Sequence, residues 1–470
     1  MGTKRMHVWP IVAGALWMLA QSAQGATGVD YAEALRQSRA SNGAVIGARL
    51  DAQARQLQAE AVRRIDGPDL RLSGFAGRVS TTLSVDTGNI AQLANPLLDA
   101  LPALPGVNLP DIPPTLDVDR VFDVRSLGLN SVWPIYTGGR LDAVKRIAAG
   151  RADEAGASVQ AAQDEAATQL AQRYFTVQLA RKAAQLRTDA LEVAREHQSA
   201  ARKMEGAGLI AKVERLKADV AVDNAQREAA KAASDLEIAQ LALRRLLDAP
   251  RDVLPTTPLF VHAQAPGSLA SFIDAAMASN AAWKQIDSKR KQAAGALQLQ
   301  GQAFSPTVVG IANYNLNRGS STRANWLVGV SVSVPLIERV DRARMLSAAR
   351  LDQQRVEATA EQAGRDIPTL AESQWRAMED ARLRYISMGS ALELAFETRR
   401  LAQVGFNNRQ ASSTDVADAS LNYSKTALER AQAAYDYVLA LARLLATTGE
   451  PDRLCTLSKN ATYVVDPMKD

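Results

Sequence analysis

The chain has 470 residues, 47% of them hydrophobic but only 5% aromatic, with 55 Lys plus Arg against 50 Asp plus Glu. The formal charge of +5 is small for this length, and basic residues are interleaved with acidic ones, so the charges read as solvated helix faces and not as a nucleic-acid footprint. Past the N-terminal stretch no run approaches the ~20 apolar residues of a membrane helix, which excludes an inner-membrane transporter.

The chain opens with Lys4 and Arg5, an apolar stretch over residues 8–20 and small residues around Ala23-Gln24-Gly25. This layout predicts a cleaved signal peptide over residues 1–25; Pro10 and Gly14 argue against a retained anchor helix. No cysteine follows the cleavage region to accept a lipid, and Cys455 is the single cysteine, so an intramolecular disulfide is impossible.

Beyond the signal the sequence repeats itself. Pro134 matches Pro335, Glu214 matches Asp415 and Pro250 matches Pro451, each 201 positions apart. At the same offset residues 228–239 and 429–440 are identical at six of twelve positions. Upstream, Asn42 matches Asn280 and Pro68 matches Pro306 at 238 positions, so 238 − 201 = 37 extra residues lie in the first copy between Pro68 and Pro134. The reading is a tandem duplication: a first repeat over 26–250, a linker over 251–268, a second repeat over 269–451 and a tail over 452–470. The extra residues fall in a Pro-rich inserted loop at about 87–118.

Each copy starts with a helix, residues 31–65 in the first and 269–303 in the second. A strand pair follows. Leu70 and Leu72 begin the first pair, and Leu127, Leu129, Trp133 and Ile135 form the stripe of its second strand. Between them residues 89–114 lack strong periodicity and are rich in proline, which predicts an irregular surface loop joining the two strands. After Gly138-Gly139, proline-free sequence runs to about 205, some 67 residues and a rod of roughly 100 Å. Within it Leu170, Val177, Ala184 and Leu191 recur every seven positions; their counterparts are Ala371, Met378, Tyr385 and Leu392. A return helix over 212–248 stops before Pro250. In the second copy Tyr314 and Leu316 face Trp326, Val328, Val330, Val332 and Val334, with polar residues between. The long helix that follows contains Pro368, where a kink is expected, and the last return helix covers 413–447.

Strands of about 10 residues with one apolar and one polar face suit a transmembrane barrel, and four per chain cannot close a barrel that needs at least eight. Copies of the chain must then share one barrel. The fold class expected is mainly α with transmembrane β: a tandem-duplicated protomer carrying four strands and long coiled-coil helices.

At this point the sequence resembles the TolC-like outer-membrane efflux proteins. The resemblance rests on Trp133-Pro-Ile-Tyr-Thr-Gly-Gly-Arg140 at the strand-to-helix junction, Gly208-Leu-Ile-Ala-Lys-Val-Glu-Arg-Leu-Lys-Ala218 at the first helical turnaround, and Ser413-Thr-Asp-Val-Ala-Asp-Ala419 at the second. It covers nearly the whole mature chain. It implies a homotrimer with a twelve-stranded barrel in outer-membrane lipid, a helical tunnel through the periplasm, and work with a periplasmic adaptor (a membrane fusion protein) and an inner-membrane pump of RND, ABC or MFS type. Tripartite efflux and type I secretion both use such ducts, and the cargo is not readable from the sequence.

The resemblance also places residues. Asp415 and Asp418 match the acidic positions that line the family's periplasmic aperture; three residues apart, they also suit a helix start, where the dipole favours acids. Gly208, Leu209 and Ile210 at the first tip, and Arg409, Ala411 and Ser412 at the second, are the candidate adaptor-docking positions, with solvated turns as the plainer alternative. Arg409 stands where the family usually has glycine, so the second turn must be made through Asn407 or Asn408. Pro134, Gly138, Gly139 and Pro335 mark the strand-to-helix junctions. His7, His197 and His262 have no ligand-spaced Cys or carboxylate companions, and no phosphate-binding loop is present, so no enzyme, cofactor or metal is expected. The competing class is a periplasmic coiled-coil adaptor or scaffold with no pore of its own, which would not need a lipid-facing stripe.

Overall fold

A computed structural model describes residues 27–99, 110–316, 325–336, 339–408 and 410–465. The expected signal peptide, the middle of the inserted loop and Arg409 lie outside the described residues. In chain order the elements are β1 (Thr27–Val29), α1 (Tyr31–Ser41), α2 (Gly43–Ala61), β2 (Asp69–Asp86), α3 (Gly88–Asp99), β3 (Thr115–Tyr136), α4 (Arg140–Gly206), α5 (Lys212–Leu246), β4 (Val253–Pro255), β5 (Leu259–Val261), α6 (Leu269–Ser279), α7 (Ala281–Gly301), β6 (Thr307–Asn315), β7 (Trp326–Ser333), α8 (Arg342–Asn407), α9 (Ser413–Thr447), α10 (Arg453–Lys459) and β8 (Tyr463–Val465).

Two compact units emerge, and both draw on both copies. One comprises residues up to 59, 146–294 and 350 onward; the other comprises 60–145 and 295–349.

The first unit is helical. Its core holds the heptad positions Leu170, Val177, Ala371, Met378 and Tyr385, all at most 3% exposed, whereas Ala184 and Leu392 are half-buried and Leu191 lies outside this core, so the seven-residue spacing marks the core over only part of its length. Around Tyr174 the rings of Tyr31, Phe175, Phe260 and Tyr437 form a run of edge and stacked contacts. The buried Tyr174 hydroxyl accepts from the amides of Thr256 and Thr257 at 3.0 and 2.9 Å and donates to the Val29 carbonyl at 2.8 Å. A tyrosine buried in this way needs a partner for its polar end, and here the partners hold two short sheets in place. β1 pairs parallel with β4, and β5 pairs antiparallel with β8. The segments read as linker and tail thus carry paired strands; three-residue strands are too short to show alternation.

The opening helix of each copy is interrupted, against expectation. Asn42 and Asn280 adopt extended backbone, and the Oδ1 of each caps the next helix, accepting from Ala44 and Ala282 at 2.9 Å. These asparagines already stood out as a matched pair. Asparagine favours a cap over a helix interior because its amide competes for backbone groups. The duplication extends to backbone conformation: Asp248 and Gly449, 201 positions apart, both have positive φ just past their helices, at 48° and 71°. α8 continues through Pro368 as one helix of 66 residues.

The second unit contains a four-stranded antiparallel sheet in the order β2-β3-β6-β7. Its register joins Leu72, Leu129, Tyr314 and Trp326 in one row and Leu70, Ser131, Ala312 and Val328 in another. The face carrying these rows continues through Trp133, Val330 and Val332. The opposite face is mixed, carrying Asp69, Arg71, Ser73, Asn130, Asn313 and Ser331 beside Val132, Val309, Ile311 and Leu327. The apolar residues of the first face are exposed, Trp326 and Val328 each at 68%. β2 and β3 run to 18 and 22 residues, far beyond the 9 and 8 of β6 and β7. The inserted loop also departs from the irregular segment expected. It opens with α3, twelve residues with Pro96 inside, and Asn95 ties this helix back through a 2.9 Å bond to the Ile112 carbonyl and a 2.8 Å bond from the Ile112 amide.

Candidate functional site

The two helical turnarounds, both in the first unit, are built differently. α4 ends in a left-handed residue, Gly208 at φ 72°, whose amide donates to the Glu205 carbonyl at 2.8 Å while Leu209 donates to Met204 at 2.8 Å. This is a glycine-terminated helix stop, where a side chain would be strained. Ala211 then starts α5 without a side-chain cap. Polar contacts between the helices supply the rigidity: Arg215 pairs with Glu205 at 2.7 Å and with Asp219, which also accepts from Gln198 at 2.8 Å and Arg202 at 3.1 Å. These partners hold the Asp219 carboxyl below its ordinary range, against the opposing pull of desolvation.

The second turnaround stops α8 at Asn407. The Asn408 amide bonds to the Val404 carbonyl at 3.0 Å, and the Gln410 and Ala411 amides both reach the Gly405 carbonyl, at 2.7 and 3.3 Å. Ser412 caps α9 with a reciprocal box. Its Oγ accepts from the Asp415 amide at 3.2 Å, and Asp415 Oδ2 accepts from the Ser412 amide at 2.7 Å and hydroxyl at 2.8 Å. The Ser412 amide is the main cause that keeps the Asp415 carboxyl below its ordinary range, followed by the Ser412 hydroxyl. Asp418, one turn on, is exposed and has no hydrogen-bond or ion-pair partner among the described residues. Of the two acids expected at the aperture, Asp415 therefore serves the helix start, while Asp418 presents its charge unshared.

The turnarounds touch. Glu214, the first-copy equivalent of Asp415, accepts from the Ser413 amide at 3.3 Å and pairs with Lys217 at 2.9 Å, and the Lys217 bond is the first cause of its lowered pKa. A small apolar cluster of Ala201, Ala218, Phe406 and Val416 lies beneath, with Met204, Ile210 and Ala411 against it. Ile210 and Ala411, expected to dock an adaptor, thus spend part of their surface inside the tip; Leu209 remains 45% exposed. His197 is 2% exposed, packs its ring 4.2 Å from Phe406 and has no partner for either ring nitrogen among the described residues. Burial pushes its pKa down, opposed by Glu214. His197, without ligand-spaced companions in the sequence, serves as a packing residue of the tip. Glu214 was noticed only as a repeat match, and nothing in the sequence marked it as the link between the tips.

In the second unit the strand-to-helix junction is set by Gly138, with φ 64°; a Cβ there would stand 2.1 Å from the Ser305 Cβ. Both the conformation and the close approach require glycine. Trp133 and Pro134 lie at the end of β3, where the register to β6 shifts at Pro134. The Trp133 indole donates to the Asp66 carbonyl at 3.0 Å, and Lys145 pairs with the Asp66 carboxylate at 2.8 Å. Pro335 follows β7 at the equivalent point. No helix among the described residues is long and apolar enough to cross a membrane, and no group of three or more His, Cys, Asp or Glu among them is placed to hold a metal ion.

Residues 34–249 match the family model described as outer membrane efflux protein. No curated protein sequence matches the chain. Solved structures do. The Campylobacter jejuni CmeC outer membrane channel is similar at a TM-score of 0.72 and 14% identity, covering 92% of this chain and 89% of that one. The outer membrane protein VceC of Vibrio cholerae is similar at 0.69 and 16% identity, over 88% and 96%. The open state of the Neisseria gonorrhoeae MtrE outer membrane channel is similar at 0.66 and 18% identity, over 90% and 89%.

Proposed function

We propose that the chain is a TolC-like outer-membrane efflux protein and that three copies of it form an outer-membrane duct. It passively conducts cargo delivered by a periplasmic adaptor and an energised inner-membrane pump. The observation that carries this reading is the β2-β3-β6-β7 sheet. One of its faces is almost wholly apolar and exposed, the other mixes polar residues with Val132, Val309, Ile311 and Leu327, and both edge strands are unpaired among the described residues. An open sheet with such a face is unstable in water and invites edge pairing; closing it with further copies satisfies both edges. Nine residues of β6 at ~3.3 Å, tilted by about 40°, span close to the ~25 Å apolar band of an outer-membrane barrel. The helical turnarounds then form the periplasmic end, with Asp418 and the capped Asp415 at the aperture and Leu209 the most exposed docking position.

Mass measurement in mild detergent, with outer-membrane fractionation and planar-bilayer recording, tests the proposal. A trimer that resists alkaline extraction and conducts is expected. A water-soluble monomer from the periplasm would overturn it in favour of a pore-free scaffold.

A further inference from the structure

The β2–β3 hairpin changes polarity along its length without changing register. From Asp69↔Val132 to Asp86↔Thr115 the pairing is unbroken, so each side chain's face follows from its position. Up to Leu72 and back to Leu127, the face shared with Tyr314 and Trp326 is the apolar one. Beyond that point this same face becomes polar. It carries an Arg78–Asp123 ion pair at 2.8 Å, a Thr82 hydroxyl bond to Asp119 at 2.6 Å and a Ser84 hydroxyl bond to Asp117 at 2.7 Å. The opposite face, mixed in the four-stranded part, becomes almost wholly apolar. Phe75, Val79, Leu83 and Val85 stand across from Ser126, Phe122, Val118 and Leu116. The Phe75 ring lies over Gly77 on this face, and Arg120 is its single charged residue. Leu83 is 61% exposed and Leu116 50%.

Lipid does not explain this second apolar face. The four-stranded part already spans the apolar band, and residues 75–86 add twelve positions, about 40 Å at ~3.3 Å each. The second face also lies on the side of the sheet away from the lipid stripe. In a closed barrel that side is continuous with the lumen. A run of large apolar side chains there cannot line a wide aqueous mouth without cost, and a contiguous apolar patch of this kind marks a contact surface. The surfaces available on the lumen side, continuous with the barrel, are the same faces of the other copies.

We propose that the outer halves of the three β2–β3 hairpins lean inward and pack these faces against one another. They would form a hydrophobic constriction at the outer mouth, with the Arg78–Asp123 side turned to water. Apolar constrictions of this kind gate by excluding water. The occupant of each face is a second copy of this chain. The inference rests on the trimeric barrel proposed above.

The test uses the full chain in a Cys455→Ser background, purified as the detergent trimer and in outer-membrane vesicles. Leu83→Cys is placed on the apolar face and Val121→Cys on the polar face of the same hairpin. A short bis-maleimide should link Leu83→Cys chains in pairs, giving covalent dimers with the third chain of each trimer left single, and leave Val121→Cys monomeric on denaturing gels. Alkylation of Leu83→Cys by a water-soluble maleimide should run about tenfold slower than that of Val121→Cys, as expected for a site reached only by local opening. Thr81→Cys, a smaller change on the same face as Leu83, should repeat the Leu83→Cys pattern if that variant assembles poorly. An intact trimer in which both faces alkylate equally and neither cross-links overturns this inference and leaves the barrel standing. Quenching of a fluorophore at Leu83→Cys by spin-labelled lipid likewise overturns it, in favour of a lipid-facing hairpin. A monomeric parent overturns the barrel and this inference with it.

Discussion

The second turnaround allows helix capping and aperture charge to be separated, because Ser412 takes part only in the first. Ser412→Ala removes the Oγ that accepts from the Asp415 amide and donates to its carboxylate, while leaving both acids in place. Loss of a serine N-cap costs about 1 kcal/mol, which is roughly a fivefold change in a local opening equilibrium. Amide hydrogen exchange on the detergent trimer should therefore accelerate about fivefold over residues 413–416 and stay unchanged in the middle of α9. The Ser412 amide, the main cause of the lowered pKa, remains in this variant, so the Asp415 carboxyl loses only the smaller hydroxyl contribution and stays ionised at neutral pH, and cation selectivity in planar bilayers should persist. Asp415→Asn with Asp418→Asn removes six charges from a trimer. It should lower cation selectivity, most visibly at low salt, since the field is screened within a Debye length of about 8 Å at physiological strength. If Ser412→Ala loses as much selectivity as the double variant, the charge argument fails. If the double variant keeps its selectivity, these acids belong to the helix start alone and the aperture lies elsewhere.

Three further outcomes follow from single side chains. Burial pushes Asp164 up from 3.8 to about 6, with Arg39 and the Gln160 bond opposing. Between those values the folded chain holds a proton that the unfolded chain has lost, so stability should rise as pH falls through this window. The shift alone would correspond to at most ~3 kcal/mol, cut by solvent screening of a partly exposed group to about 1 kcal/mol; Asp164→Asn should raise the thermal midpoint at pH 7.5 and not at pH 4. His197 behaves oppositely: with its pKa below the ordinary 6.5, the unfolded chain takes up the proton first and stability falls as pH drops below 6.5. His197→Leu should flatten that acid limb and, by removing two unpaired buried nitrogens, stabilise the tip by about 1 kcal/mol at neutral pH, read as slower exchange at residues 402–406. Gly138→Ala meets both a left-handed φ and the Ser305 Cβ; a loss of about 2 kcal/mol is expected, measured as a lower thermal midpoint of the purified trimer.

The long elements were legible because their signals are local and repeated. Each boundary of α4 and α9 is marked by a residue that cannot continue the helix or that caps it, and the 201-position offset doubled every such mark. The helix break at Asn42 and Asn280 shows where local reading stopped short. The matched asparagines were visible, but apolar residues on both sides kept a helical spacing, and one side-chain cap per copy decides the break. The short strands at 253–255, 259–261 and 463–465 left no pattern at all. They exist because Tyr174 and its neighbours bury their partners, a tertiary cause. Arg215 and Glu214 belong to the same class: a sequence shows charged residues in a turn motif and cannot show which helix answers them.

The hairpin marks the limit most sharply. Residues 75–86 and 115–126 alternate well enough to read as strands, yet alternation alone assigns neither set to a side. A side is defined only against a reference, and the reference is the row Leu72, Leu129, Tyr314, Trp326, which joins residues up to 254 positions apart. Shifting β2 against β3 by one residue would put Phe75 and Leu83 on the lipid side but take Leu70 and Leu72 off it, so the register decides which half of the hairpin faces which way. The unbroken pairing therefore turns an unremarkable pattern into an argument about the outer mouth of the proposed barrel: if lipid is met by one face of the sheet, only the other face remains apolar where the lipid would end.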